Sequence, residues 1–98
     1  MIFAEGQPGD VMYVVKDGEV DVLIHNQVVE TIGPGDVLGE MALIDQQPRS
    51  ATAVARTDCQ LVSINEARFK YLVQQTPYFA IEVMRVMARR LRHMDADT

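Results

Sequence analysis

Apolar and polar residues follow a short β-type pattern for about two thirds of the chain and then change to helical spacing. Met12-Tyr13-Val14-Val15 is a β-rich run, and Lys16-Asp17-Gly18 behind it reads as an Asp-Gly hairpin turn. Val20-Asp21-Val22-Leu23-Ile24 alternates, turns at His25-Asn26 and returns as Val28-Val29-Glu30-Thr31-Ile32. Gly33-Pro34-Gly35-Asp36 is a further turn, with the proline presetting one φ. Gly39 to Ile44 has the residues for a helical turn or two, Gln46-Gln47-Pro48 turns back, and Ser50–Ala55 and Cys59–Ile64 predict two more strands. Many short strands at regular spacing predict an antiparallel sandwich or barrel.

The period then lengthens. Asn65 is placed to cap a helix from Glu66 to about Gln75, and Thr76-Pro77 sets a capping hydroxyl before a proline at the first position of a second helix running to about Met94. Ala80, Met84, Met87, Leu91 and Met94 recur at 4, 3, 4, 3 and predict an apolar seam, while Arg85, Arg89 and Arg92 share another face. The expectation is one domain over residues 1–98: a mainly β antiparallel barrel or roll over about 1–64, followed by C-terminal helices over about 65–94.

Composition narrows the class. Hydrophobic residues form 48% of the chain and charged residues 23%, the balance of a packed globular domain rather than a disordered tail. The apolar runs are too short for a membrane span, and the N-terminus lacks the basic flank and apolar core of a signal peptide, so a cytoplasmic location is expected. Cys59 is the single cysteine, which excludes an intrachain disulfide and predicts a buried structural thiol. Charge is uneven: residues 1–48 carry nine acids against Lys16, whereas residues 49–98 carry eight bases and five acids. An acidic protein with so few bases in its first half is not built for non-specific nucleic-acid binding, so an anion would need a local site.

One stretch supplies such a site. A short helix opening beside Gly39 exposes backbone N–H groups that favour an anion. Arg49 follows Glu40 by nine positions, and a guanidinium can fork two donors onto phosphate oxygens. Glu40 is better suited to a sugar hydroxyl, because a carboxylate and a phosphate repel, and it can also orient Arg49. A ligand carrying both a phosphate and a ribose accounts for the pair.

The string "GEMALIDQQPRSATAVA" resembles the phosphate-binding cassette of cyclic nucleotide-binding domains, the family of the bacterial catabolite activator protein and the regulatory subunits of cAMP-dependent protein kinase. Ile2-Phe3, Gly6, Pro8-Gly9-Asp10, Met12-Tyr13-Val14-Val15, the Gly33–Asp36 turn and the final "VMRVMARRLRHM" look like the same family, so the resemblance covers nearly all of the chain. It implies a cupin-like β-roll, or jelly roll, and a ligand site made of Gly39, Glu40, Met41, Ala42, Arg49, Ser50 and Ala51. By the same resemblance Glu40 holds the ribose 2′-hydroxyl and Arg49 the exocyclic phosphate oxygens. The Ala42 N–H and Ser50 complete the cradle, and the last helix serves as a lid over the base. Arg-Ser-Ala favours cAMP, and a Ser50 hydroxyl able to reach a guanine amino group leaves cGMP open. Leu38 stands where phenylalanine often precedes the glycine.

Two expectations concern the chain ends. Family members usually carry a helical segment and a strand ahead of the region matching Ile2-Phe3, so a partner completing the sheet is one expectation. An output domain or effector on another chain is the second. His25 and His93 are too far apart in sequence for a cupin-type metal site, and no serine or cysteine has a plausible base beside it, so no enzyme, cofactor or metal is expected. The seam is expected to pack against the chain's own barrel, with a homodimer through it as the alternative. The competing function is a docking or dimerisation module of the same fold that binds no nucleotide.

Overall fold

The computed structural model describes residues 1–96, with side chains as far as Leu91. The strands are β1 (Val11–Asp17), β2 (Val20–Ile24), β3 (Gln27–Ile32), β4 (Val37–Leu38), β5 (Thr52–Ala55) and β6 (Gln60–Asn65). The helices are α1 (Glu40–Ile44), α2 (Glu66–Gln75) and α3 (Pro77–Ala96). The fold is thus mainly antiparallel β with C-terminal helices, as the hydrophobic pattern predicts. Two compact units divide the chain, Met1–Glu66 and the remainder from Ala67.

In the first unit the strands form two three-stranded antiparallel sheets, ordered β4-β1-β6 and β3-β2-β5. Val15 of β1, Val20 of β2, Ile32 of β3, Leu38 of β4 and Ala53 of β5 meet in one buried cluster, so both sheets contribute to one core. Ile2, Phe3, Tyr13, Val22, Cys59 and Leu61 pack around it. Removing such side chains from water contributes about 1.5–3 kcal/mol for each large one.

Lys16-Asp17-Gly18 is not a hairpin turn, because β1 and β2 belong to different sheets. Gly18, at φ 87°, carries the chain across from one sheet to the other. A Cβ at Gly18 would collide with the Asp58 carbonyl and lie 2.9 Å from the Cys59 Cα and Sγ, so close approach of two loops also demands glycine. The turn at His25-Asn26 is a hairpin, with φ of 52° and 64° giving the paired left-handed residues of a type I′ connection between β2 and β3. Cys59 is half-buried rather than buried, with its Sγ 3.1 Å from the Glu19 carbonyl oxygen and 3.2 Å from that of Thr57.

Residues 2–7 run beside the chain that leads into β5, extended at Ile2-Phe3 and then turning, with the Gln7 N–H donating to the Ala4 carbonyl at 3.2 Å. The Ile2 N–H donates to the Ala53 carbonyl at 2.7 Å, and the Ala53 N–H donates to that of Phe3 at 2.9 Å. Further along, the Gly6 N–H donates to the Arg49 carbonyl and the Arg49 N–H to the Gln7 carbonyl, both at 2.8 Å. This antiparallel pairing fixes the backbone of Arg49 on both its donor and its acceptor side.

In the second unit α3 starts at Pro77, the position assigned to it from the sequence. Phe69 of α2 and Phe79 of α3 meet edge to face, with centroids 5.8 Å apart. Among the described side chains of α3 the buried ones are Val83 and Val86, whereas Met84 and Leu91 of the expected seam are 59% and 60% exposed. Arg85 donates to Glu82 at 2.9 Å on the solvated side. The side chains of Arg92, His93 and Met94 lie outside those described. No helix among the described residues is long and apolar enough to cross a membrane.

Candidate functional site

The site is built where β4 passes into α1. Val37 and Leu38 are buried, and Gly39 follows at φ 77° and ψ 10°, a left-handed conformation that turns the chain sharply from strand into helix. No side chain caps α1 at its first turn. Glu40, the first helical residue, has 0% of its surface exposed, and Ala42 has 5%. Met41 between them is 41% exposed, as expected for the outward face of a one-turn helix.

Arg49 enters from the opposite side and is buried at 7% exposure. Its NH1 donates to the Gly39 carbonyl at 3.0 Å and its NH2 to the Val11 carbonyl at 2.8 Å. The guanidinium carbon sits 4.2 Å from the centroid of the Phe3 ring. A Cβ on Gly9 would be 2.5 Å from that carbon and 2.9 Å from the Ala42 Cβ, so Arg49 and Ala42 both pack against Gly9. A Cβ on Gly39 would strike NH1.

The packing encloses both an acid, Glu40, and a base, Arg49. Enclosing a guanidinium costs several kcal/mol unless its donors and charge are met. Two carbonyl dipoles meet part of that demand, but the Nε of Arg49 is buried with no acceptor. A buried donor left in that state costs about 1–3 kcal/mol, and an anion arriving at this edge would recover it.

Of the residues predicted from the sequence, Gly39 and Arg49 are brought into contact, Ala42 shares the neighbour Gly9 with Arg49, and Glu40 is buried next to Gly39 along the chain. Ser50 is exposed and Ala51 half-buried, next to Arg49 along the chain. Sequence reasoning missed Phe3, Gly9 and Val11 as parts of the site. Gly9 carried a usable signal, since it lies in Gln7-Pro8-Gly9-Asp10 ahead of a strand. Val11 contributes a backbone oxygen, which no side-chain pattern reveals. Among the described residues no group of three His, Cys, Asp or Glu is placed to hold a metal ion.

Two antiparallel sheets around one core, helices at the C-terminus, and a glycine-led helical turn facing a buried arginine define a small ligand-binding β-roll. The chain belongs to the cyclic nucleotide-binding domain family, whose model matches residues 1–76. It is 33% identical to the cyclic AMP receptor protein of Thermus thermophilus over 101 aligned positions, covering 98% of this chain and 47% of that protein. It is 40% identical over 72 residues to a cAMP-dependent protein kinase regulatory subunit of Eremothecium gossypii, covering 74% of this chain and 16% of that one. The structure of cAMP-bound PfPKA-R superposes with a TM-score of 0.83 at 32% identity, covering 97% of this chain and 33% of that chain. The chain therefore spans less than half the length of these relatives.

Proposed function

We propose that this chain is a cyclic nucleotide sensor module that takes cAMP and couples its occupancy to the position of α3. The observation that carries the reading is Arg49, a buried guanidinium held on two carbonyls with its Nε lacking an acceptor. A singly charged cyclic phosphate supplies the missing acceptor and neutralises the enclosed charge. Glu40, buried at the start of α1, accepts from the ribose 2′-hydroxyl. The uncapped first turn of α1 and the Ala42 N–H add donors to the phosphate. Ser50, exposed beside Arg49, is free to contact a phosphate oxygen or a guanine amino group, so cGMP is the alternative ligand. The module acts by binding and performs no catalysis, and occupancy moves α3 only to the extent that the ligand favours one helix position over another.

Isothermal titration with cAMP, with cGMP and 5′-AMP as comparators, tests the reading. Saturable binding that prefers a cyclic nucleotide supports it, and a folded protein that binds none of the three removes it. A second reading, self-association through α3, is favoured by the exposure of Met84 and Leu91 on its apolar row.

A further inference from the structure

Arg49 does not hold its own position. Its two carbonyl partners fix one edge of the guanidinium but leave rotation about the side chain, and the flat surface that removes this freedom is the ring of Phe3. That ring is itself well anchored. Its backbone is paired to Ala53, it stacks on Tyr13 with centroids 6.3 Å apart and planes 21° apart, and it packs on the core cluster. Its Cε2 lies 3.4 Å from where a Cβ of Gly39 would be, so ring, guanidinium and the entry to α1 form one contact set.

We infer that Phe3 is a positioning residue for nucleotide phosphate recognition: its π face holds the Arg49 guanidinium in the plane from which the remaining donors, Nε among them, meet the anion. The inference rests on the cyclic nucleotide reading above and goes beyond it by assigning a role to a residue outside the Gly39–Ala51 segment. The physical requirement is a ring rather than apolar bulk. A cation is attracted to the negative face of an aromatic quadrupole, and the attraction grows as the pair is withdrawn from water. Leucine fills the same region of the core without offering that face.

The test is cAMP titration of wild type, Phe3→Leu and Phe3→Tyr, run at a temperature where circular dichroism shows each protein folded. Phe3→Leu is expected to weaken binding about tenfold, the size a partly desolvated cation–π contact supports, and Phe3→Tyr to stay within about twofold because the ring is kept. Ile32→Val, which loosens the same core away from Arg49, is the control for simple destabilisation and leaves affinity unchanged. Equal affinity of wild type and Phe3→Leu overturns the role of Phe3 while leaving the cyclic nucleotide reading intact. Equal losses in Phe3→Leu and Ile32→Val overturn it too, since core damage then accounts for both. Absence of binding in the wild type overturns the underlying reading and this role with it.

Discussion

Replacing Arg49 by alanine separates affinity from stability, because the two respond to different parts of the same side chain. Hydrogen bonds to charged groups contribute about 1.5–3 kcal/mol each, so losing two donors to a cyclic phosphate removes roughly 3–6 kcal/mol of binding. At about 1.4 kcal/mol per decade, this is a loss of two to four orders of magnitude. Stability changes less, because opposing terms partly cancel. Arg49→Ala forfeits the bonds to Gly39 and Val11 and the contact with Phe3, but it also relieves the enclosure of a charge whose Nε has no acceptor. The expected net cost is about 1–2 kcal/mol, or roughly 5–15 °C in melting temperature for a domain of this size. Calorimetric titration reads the first quantity. A thermal melt with and without cAMP reads both, since ligand at 100 times Kd stabilises the wild type by about 2.7 kcal/mol and the variant by none. A folded Arg49→Ala protein binding cAMP within threefold of wild type would refute the reasoning.

Three further outcomes follow from the same geometry. Wild type is expected to bind 2′-deoxy-cAMP roughly 10- to 100-fold more weakly than cAMP, the value of a hydrogen bond to a carboxylate, whereas Glu40→Gln discriminates little between them. Discrimination undiminished in Glu40→Gln would remove Glu40 from the ribose. Gly9→Ala places a methyl 2.5 Å from the Arg49 guanidinium carbon, so titration should show at least about a tenfold loss of affinity, with a stability cost of about 1–3 kcal/mol from overpacking. Analytical ultracentrifugation is expected to find a concentration-dependent dimer that Met84→Glu with Leu91→Glu dissociates, and a wild-type protein that stays monomeric at high concentration excludes self-association through this row.

Strand identity was legible because alternation survives even in short segments: Val20–Ile24 and the turn at His25-Asn26 match the structure directly. The connection after β1 was not legible. Asp17-Gly18 has the composition of a hairpin turn, and only the pairing of β1 with β4 and β6 shows that its positive φ serves a crossing between sheets. Spacing on α3 misled in another way. The 4, 3, 4, 3 row is present in the sequence, yet among the described side chains Val83 and Val86 are the buried ones, because a helix with apolar residues on two faces does not declare which one is covered. In the site, Glu40 and Arg49 were visible as side chains of unusual type in an apolar context. The groups that hold Arg49 were hidden: two are backbone carbonyls, and the third is a phenylalanine indistinguishable in sequence from ordinary core.

The pairing of residues 2–7 with the approach to β5 also sets an order of events in time. Glu5 reaches Thr52, 47 positions away, through its N–H, and the Gly6 and Gln7 backbones meet that of Arg49. Residues 2–7 therefore have none of these partners until the chain through Arg49 to Ala53 exists. Closing so long a loop carries an entropic cost that local turns do not. The β2–β3 hairpin is free to form early, whereas the bed for Arg49 is completed only at this late closure. The setting of Arg49 is thus a property of the finished β unit, in which segments 47 positions apart are joined.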